Sequence, residues 1–144
     1  MSRPNFVYAI DLREPDTWDF DGVGTWAKLC DATVDLVFAD PHGSFSTDHV
    51  LSPKLRKQLD DALTVARTRD TAALEDLLTR LPEDHRGKSH IVGGDPRAVI
   101  PEYADDYDAL LVTTRDRKGL RRAFLGSVAE RIVRHTTVPV IIAR

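Results

Sequence analysis

The chain has 144 residues, 42% hydrophobic and 30% charged, with 8 Gly and 8 Pro, which excludes collagenous, disordered and low-complexity classes and suits one globular domain over residues 1–144. A single cysteine, Cys30, excludes an internal disulfide framework and any Cys-rich metal site. The net charge of −3 is uneven, since Thr113 to Arg144 carries 8 basic and 2 acidic residues and the first 112 residues carry −9; this argues against a general nucleic-acid binder and leaves room for a local anion site near the C-terminus.

Asn5 to Asp11, NFVYAID, is a short apolar run ending in a carboxylate, as expected of a central strand covered on both faces. Trp18, Gly22, Trp26 and Leu29 recur at helical spacing, with Cys30 alongside. They predict a helix within Asp16 to Asp31, although Gly22 and Gly24 weaken it, and Trp18, Phe20 and Trp26 read as core packing of that helix against the sheet. Trp18 and Phe20 have a second reading, an aromatic lid over a bound base. Val34 to Asp40, VDLVFAD, is the next strand, and Pro41 to Asp48 is loop by composition.

Ser52 and Pro53 open a helical run with Leu55, Leu59, Leu63 and Ala66 on one face. A second run, Thr71 to Leu81, repeats the pattern and is expected to end at Pro82. Thr68 to Asp70 holds no breaker, so one helix and two are both open. His90 to Gly93 is a short strand. Asp95 caps a helix with Pro96 in its first turn, and Pro101 in its interior predicts a kink or an early change of axis. Asp108 to Thr114 is a strand and Arg115 to Arg122 a basic loop. In Gly126 to His135, Ser127 and Glu130 read as a capping box, and Leu125, Val128, Ala129, Ile132 and Val133 read as an apolar stripe. Val138 to Ala143 is the last strand.

Five strands, near Asn5–Ile10, Val34–Ala39, His90–Gly93, Asp108–Thr113 and Val138–Ala143, alternate with helices. That pattern specifies a three-layer α/β sandwich around a parallel sheet, which binds ligands beyond the carboxyl ends of its strands. The five histidines have no metal-ligand spacing, so no metal is expected. No apolar run approaches the roughly 18 residues of a membrane span, and the start of the chain lacks a signal-peptide pattern, so a cytoplasmic location and no membrane partner are expected.

The stretch DYDALLVTTRDRKGLRRAFLGSVAERIVRHTTVPVIIAR, together with GGDPRAVIPEYA before it and NFVYAID at the start, resembles the universal stress protein family. The resemblance implies a five-stranded parallel sheet in the order 3-2-1-4-5 with helices on both faces, a Rossmann-like fold akin to the adenine nucleotide alpha hydrolases. It also implies a homodimer through the last strand, with Val138, Val140, Ile141, Ile142 and Ala143 at the edge. In the ATP-binding subclass of that family, two glycines after the fourth strand and a later Gly-Ser or Gly-Thr cradle ribose and phosphates, while an Asp after the first strand and a small residue after the second hold adenosine. Carried onto this chain, the Gly-Ser pair is Gly126 and Ser127, the Asp is Asp11 and the small residue is Ala39. Thr113 and Asp116 stand in place of the two glycines, and Gly119 matches a further glycine of the loop.

Glycines in such a loop bring backbone N–H groups against phosphate, and Asp116 adds repulsion toward a triphosphate. Arg115, Arg117, Lys118, Arg121 and Arg122 are the candidate offsetting charges, with solvated surface as their alternative reading. The expectation is a regulatory or protective protein with a weak or vestigial adenine-nucleotide or anion site, acting by binding rather than catalysis. ATP is at most a weak ligand in that reading. The alternatives are a competent ATP-binding protein and an interaction scaffold without a small-molecule ligand.

Overall fold

β-Branched and aromatic runs form one sheet of five parallel strands, β1 (Asn5–Ala9), β2 (Thr33–Asp40), β3 (Arg86–Gly93), β4 (Ala109–Thr113) and β5 (Val140–Ala143). The computed structural model describes residues 2–44, 51–113 and 126–143. The strand order is β3-β2-β1-β4-β5, as expected. Alternation along each strand sends side chains to two layers. Phe6, Tyr8, Leu36, Phe38 and Leu111 face α1 (Phe20–Cys30) and α2 (Pro53–Leu78). Val7, Val37, Ala39, Leu110 and Val112 face α3 (Pro96–Tyr103) and α4 (Ser127–His135). Among the described residues no helix is long and apolar enough to cross a membrane.

Strand β3 begins at Arg86, four residues before the expected His90. Its first half, RGKS, lies at the sheet edge and has no apolar signature. Its register against β2 shifts between Val34 and Leu36, where the buried Asp35 accepts the Lys88 N–H at 2.8 Å. A Cβ on Gly87 would lie 1.9 Å from Asp35 Oδ1, so that close approach requires glycine. Strand β5 begins later than expected. Val138 and Pro139 precede it, and the Pro139 carbonyl accepts from Leu110 N.

Of the aromatic residues expected in the core here, Phe20 and Trp18 reach it and Trp26 does not. Trp26 and Leu29 are 39% and 72% exposed, and the buried face is Phe20, Val23, Gly24 and Ala27. Small residues there let the helix lie close to its neighbours: a Cβ on Gly24 would stand 3.2 Å from Pro82 Cδ. Phe20 is buried in the core and Trp18 packs edge-to-face on it, with its Nε1 donating to the Asp11 carbonyl at 2.7 Å. Neither ring lines the cavity described below, so they do not form an aromatic lid over it.

The segment after Ser52 is one 26-residue helix, since nothing between Thr68 and Asp70 interrupts it. It ends at Leu78, where the Thr79 N–H turns back to Asp76 and Leu77 carbonyls, so Pro82 is not its terminator. Leu74 and Leu77 are buried, while Leu55 and Val65 in its first half are exposed. In α3, Asp95 is the cap, accepting the Arg97 N–H at 2.9 Å; the helix runs two residues past Pro101 and then tightens into a 3-10 turn over Ala104–Asp106. The Arg97 guanidinium hydrogen-bonded to Asp95 holds that carboxyl at about 2.

Helix α4 corrects the capping-box reading. Gly126 is the N-cap, with φ −56° and ψ 155°, and no side chain caps the helix. Ser127 is already helical, and Glu130 pairs with Arg134 at 2.7 Å instead of turning back. Ile132 is buried and Val128 is 40% exposed, so the stripe is narrower than expected; Leu125 lies outside the described residues.

Candidate functional site

The chain runs from β1 through β2 to β3 on one side of the sheet, then crosses to β4 on the other side of β1. The strand order therefore reverses between β1 and β4, and a crevice at the carboxyl ends of the strands is expected at that switch point. A cavity of about 510 Å³ occupies that place. Its floor is Ile10, Phe38, Ala39 and Val112, and its rim includes Asp11, Thr113, Gly126 and Ser127. An open groove of about 560 Å³ between α3 and α4 carries charges of both signs, including Asp95, Arg97 and Arg131, and lies away from the strand ends.

Asp11 sits just past β1, where its Oδ1 accepts the Arg13 N–H at 2.9 Å and shapes the turn. Its Oδ2 makes no hydrogen bond among the described residues, so the carboxylate combines a turn role with a free acceptor at the rim. Ala39, near the end of β2, is 6% exposed and lines the cavity floor with a small side chain.

At Gly126, φ is not in the left-handed region and a Cβ would meet nothing within 4 Å. Neither backbone nor neighbours among the described residues call for glycine there. Ser127 is exposed and its hydroxyl is not spent on capping. The first N–H groups of α4 have no partners within the helix, and the positive end of its dipole lies beside them. Together they turn N–H donors and a free hydroxyl toward the cavity edge.

Thr113 stands at the end of β4. Its hydroxyl donates to the Thr17 carbonyl at 2.5 Å and lies 2.9 Å from the Tyr8 hydroxyl. Its face of the strand is that of Ala109 and Leu111, which pack toward α1, opposite the α4 side. Asp116, Gly119, Arg115, Arg117, Lys118, Arg121 and Arg122 lie outside the described residues.

Arg13, which sequence reasoning missed, is the one cation among the described residues lining the cavity. Its guanidinium lies 4.9 Å from the Phe38 ring centroid and 3.8 Å from both Asp40 and the buried Asp70. Glu14 and Thr17 line the same side. Only the position of Arg13, two residues after the strand-end Asp11, hinted at this; its partners come from β2 and α2.

A five-stranded parallel sheet flanked by helices, with a cavity at its switch point between a strand-end carboxylate and a helix N-terminus, defines a Rossmann-like α/β sandwich. The model of the universal stress protein family matches residues 6–144, and the chain belongs to that family. It is similar to a universal stress protein of Staphylococcus saprophyticus, 28% identical over 152 residues that span all of this chain and 85% of that protein. Among solved structures it is similar to UspA from Lactobacillus plantarum, with 18% identity, full coverage of both chains and a TM-score of 0.69. It is also similar to the Archaeoglobus fulgidus universal stress protein in complex with dAMP, with 18% identity, 99% and 98% coverage and a TM-score of 0.59. At those identities the two structures support the fold alone.

Proposed function

We propose that the cavity at the strand ends is a weak adenine-nucleotide site and that the protein acts through occupancy of this site, in regulation or protection, rather than by turnover. The observation that carries this reading is the convergence of Asp11, Ala39, Gly126 and Ser127 on one cavity of about 510 Å³. Asp11 Oδ2 suits a ribose hydroxyl, the space beside Ala39 suits a base, and the open edge at Gly126 and Ser127 suits a phosphate. The related protein from Archaeoglobus fulgidus holds dAMP, a ligand of this class.

The described rim carries Asp11 and Glu14 against Arg13 alone, and Arg13 already faces two carboxylates. Its balance favours few phosphates over many. Titrating AMP into labelled protein while following backbone amide resonances tests this reading. Shifts concentrated at Ile10 to Leu12, Ala39 and Ser127 to Ala129 are the expected result; shifts confined to the α3–α4 groove, or none at millimolar AMP, would overturn it.

A further inference from the structure

We infer that Thr113 is a positioning residue, whose hydroxyl fastens the segment between β1 and α1 as one wall of the cavity. In the adenine-nucleotide reading this wall tightens binding; that consequence rests on the reading, and the fastening itself does not.

The direction of each hydrogen bond follows from chemistry. The Thr17 oxygen is a carbonyl and can only accept, so the single hydroxyl proton of Thr113 is committed to it, over 2.5 Å. The Tyr8 hydroxyl, 2.9 Å away, must then donate to Thr113 Oγ1. The Asp19 N–H in turn donates to the Tyr8 oxygen over 3.3 Å. A directed relay therefore runs from the start of α1, through the fully buried Tyr8 on β1, to Thr113 on β4 and back to the 3-10 turn of Pro15–Thr17.

Arg13 N and Glu14 N donate to Asp11 and Trp18 Nε1 to the Asp11 carbonyl, while the Arg13 side chain reaches Asp40 on β2 and Asp70 on α2. None of these attaches the segment to β4. Thr113 supplies that attachment, and Arg13, Glu14 and Thr17, which line the cavity, lie on the segment it holds.

Glycine at this position would leave the Thr17 carbonyl and the Tyr8 proton without their partner. Thr113→Gly therefore loosens the wall.

The test compares the wild-type protein with Thr113→Val, Thr113→Ser and Tyr8→Phe by amide hydrogen exchange, melting temperature and AMP titration. Thr113→Val keeps the shape and removes the hydroxyl, so the Thr17, Trp18 and Asp19 amides should exchange at least fivefold faster and AMP affinity should fall at least fivefold. Thr113→Ser should restore both. Tyr8→Phe, which keeps the ring, should speed exchange at Asp19. Wild-type exchange in the folded Thr113→Val and Tyr8→Phe proteins overturns the inference, as does a lower melting temperature with affinity and exchange unchanged. If exchange responds as expected but no form binds AMP, the fastening stands and the nucleotide reading fails.

Discussion

Ser127 and Tyr107 show how one proton or one lone pair decides a role. Because Gly126 is the N-cap, the Ser127 hydroxyl holds no helix end. Ser127→Ala should change stability by no more than about 0.5 kcal/mol, well below the roughly 1 kcal/mol that loss of a true cap costs. The same variant should weaken AMP, and chemical denaturation beside titration separates the two effects. Tyr107 donates to the buried Asp35 over 2.8 Å, with Tyr103 at 3.4 Å. Burial first, then its hydrogen bonds to Tyr103 and Asp35, push its phenol far above the ordinary value. Its neutral form is favoured in the folded chain. The resulting stability is fully present below about pH 10, where unfolded tyrosine titrates, and declines as pH rises beyond that point. Tyr107→Phe should flatten this alkaline loss in melting temperature measured from pH 8 to 11; an unchanged slope would place the loss elsewhere.

Element by element, the buried strands were the most legible, because β1, β2 and β4 are apolar on both faces and only a sandwiched parallel strand needs that. Strand β3 was half hidden, since Arg86 to Ser89 pairs at an edge and exchanges no apolar side chains with a covering layer. The helix α1 was found and Phe20 read as core, but Trp26 and Leu29 face outward: large apolar residues dominate a periodicity count, whereas Gly24 and Ala27 are buried because they are small. At the opposite edge, β5 has β4 on one side and no strand on the other among the described residues, and Ile142 is 40% exposed. An apolar, β-branched edge of this kind favours pairing with another copy. We propose a homodimer through Val140 to Ala143, with Val138 just before it. Replacing Ile141 and Ile142 by Lys should convert a dimer to a monomer in sedimentation, and a wild-type protein that sediments as a monomer at micromolar concentration would remove the proposal.

For the whole molecule, the candidate site was legible as parts and not as an enclosure. Asp11, Thr113, Gly126 and Ser127 meet at one rim over Ala39 because Asp11, Ala39 and Thr113 lie at strand ends beside the switch point and Gly126 and Ser127 open α4. Tyr8 read as a core residue, since nothing in NFVYAID tells that its hydroxyl meets Thr113 across 105 residues of chain. Arg13 was hidden for the same reason, its carboxylates lying on β2 and α2. The central claim is that this cavity takes an adenine nucleotide and holds its phosphates weakly. Calorimetric titration of adenosine, AMP and ATP at one salt concentration tests it most directly. The account predicts AMP binding and ATP binding both weaker than about 10 μM, less than about 7 kcal/mol, with ATP no more than about tenfold tighter than AMP; ATP binding below about 1 μM, or no heat from any of the three at millimolar concentration, would contradict it.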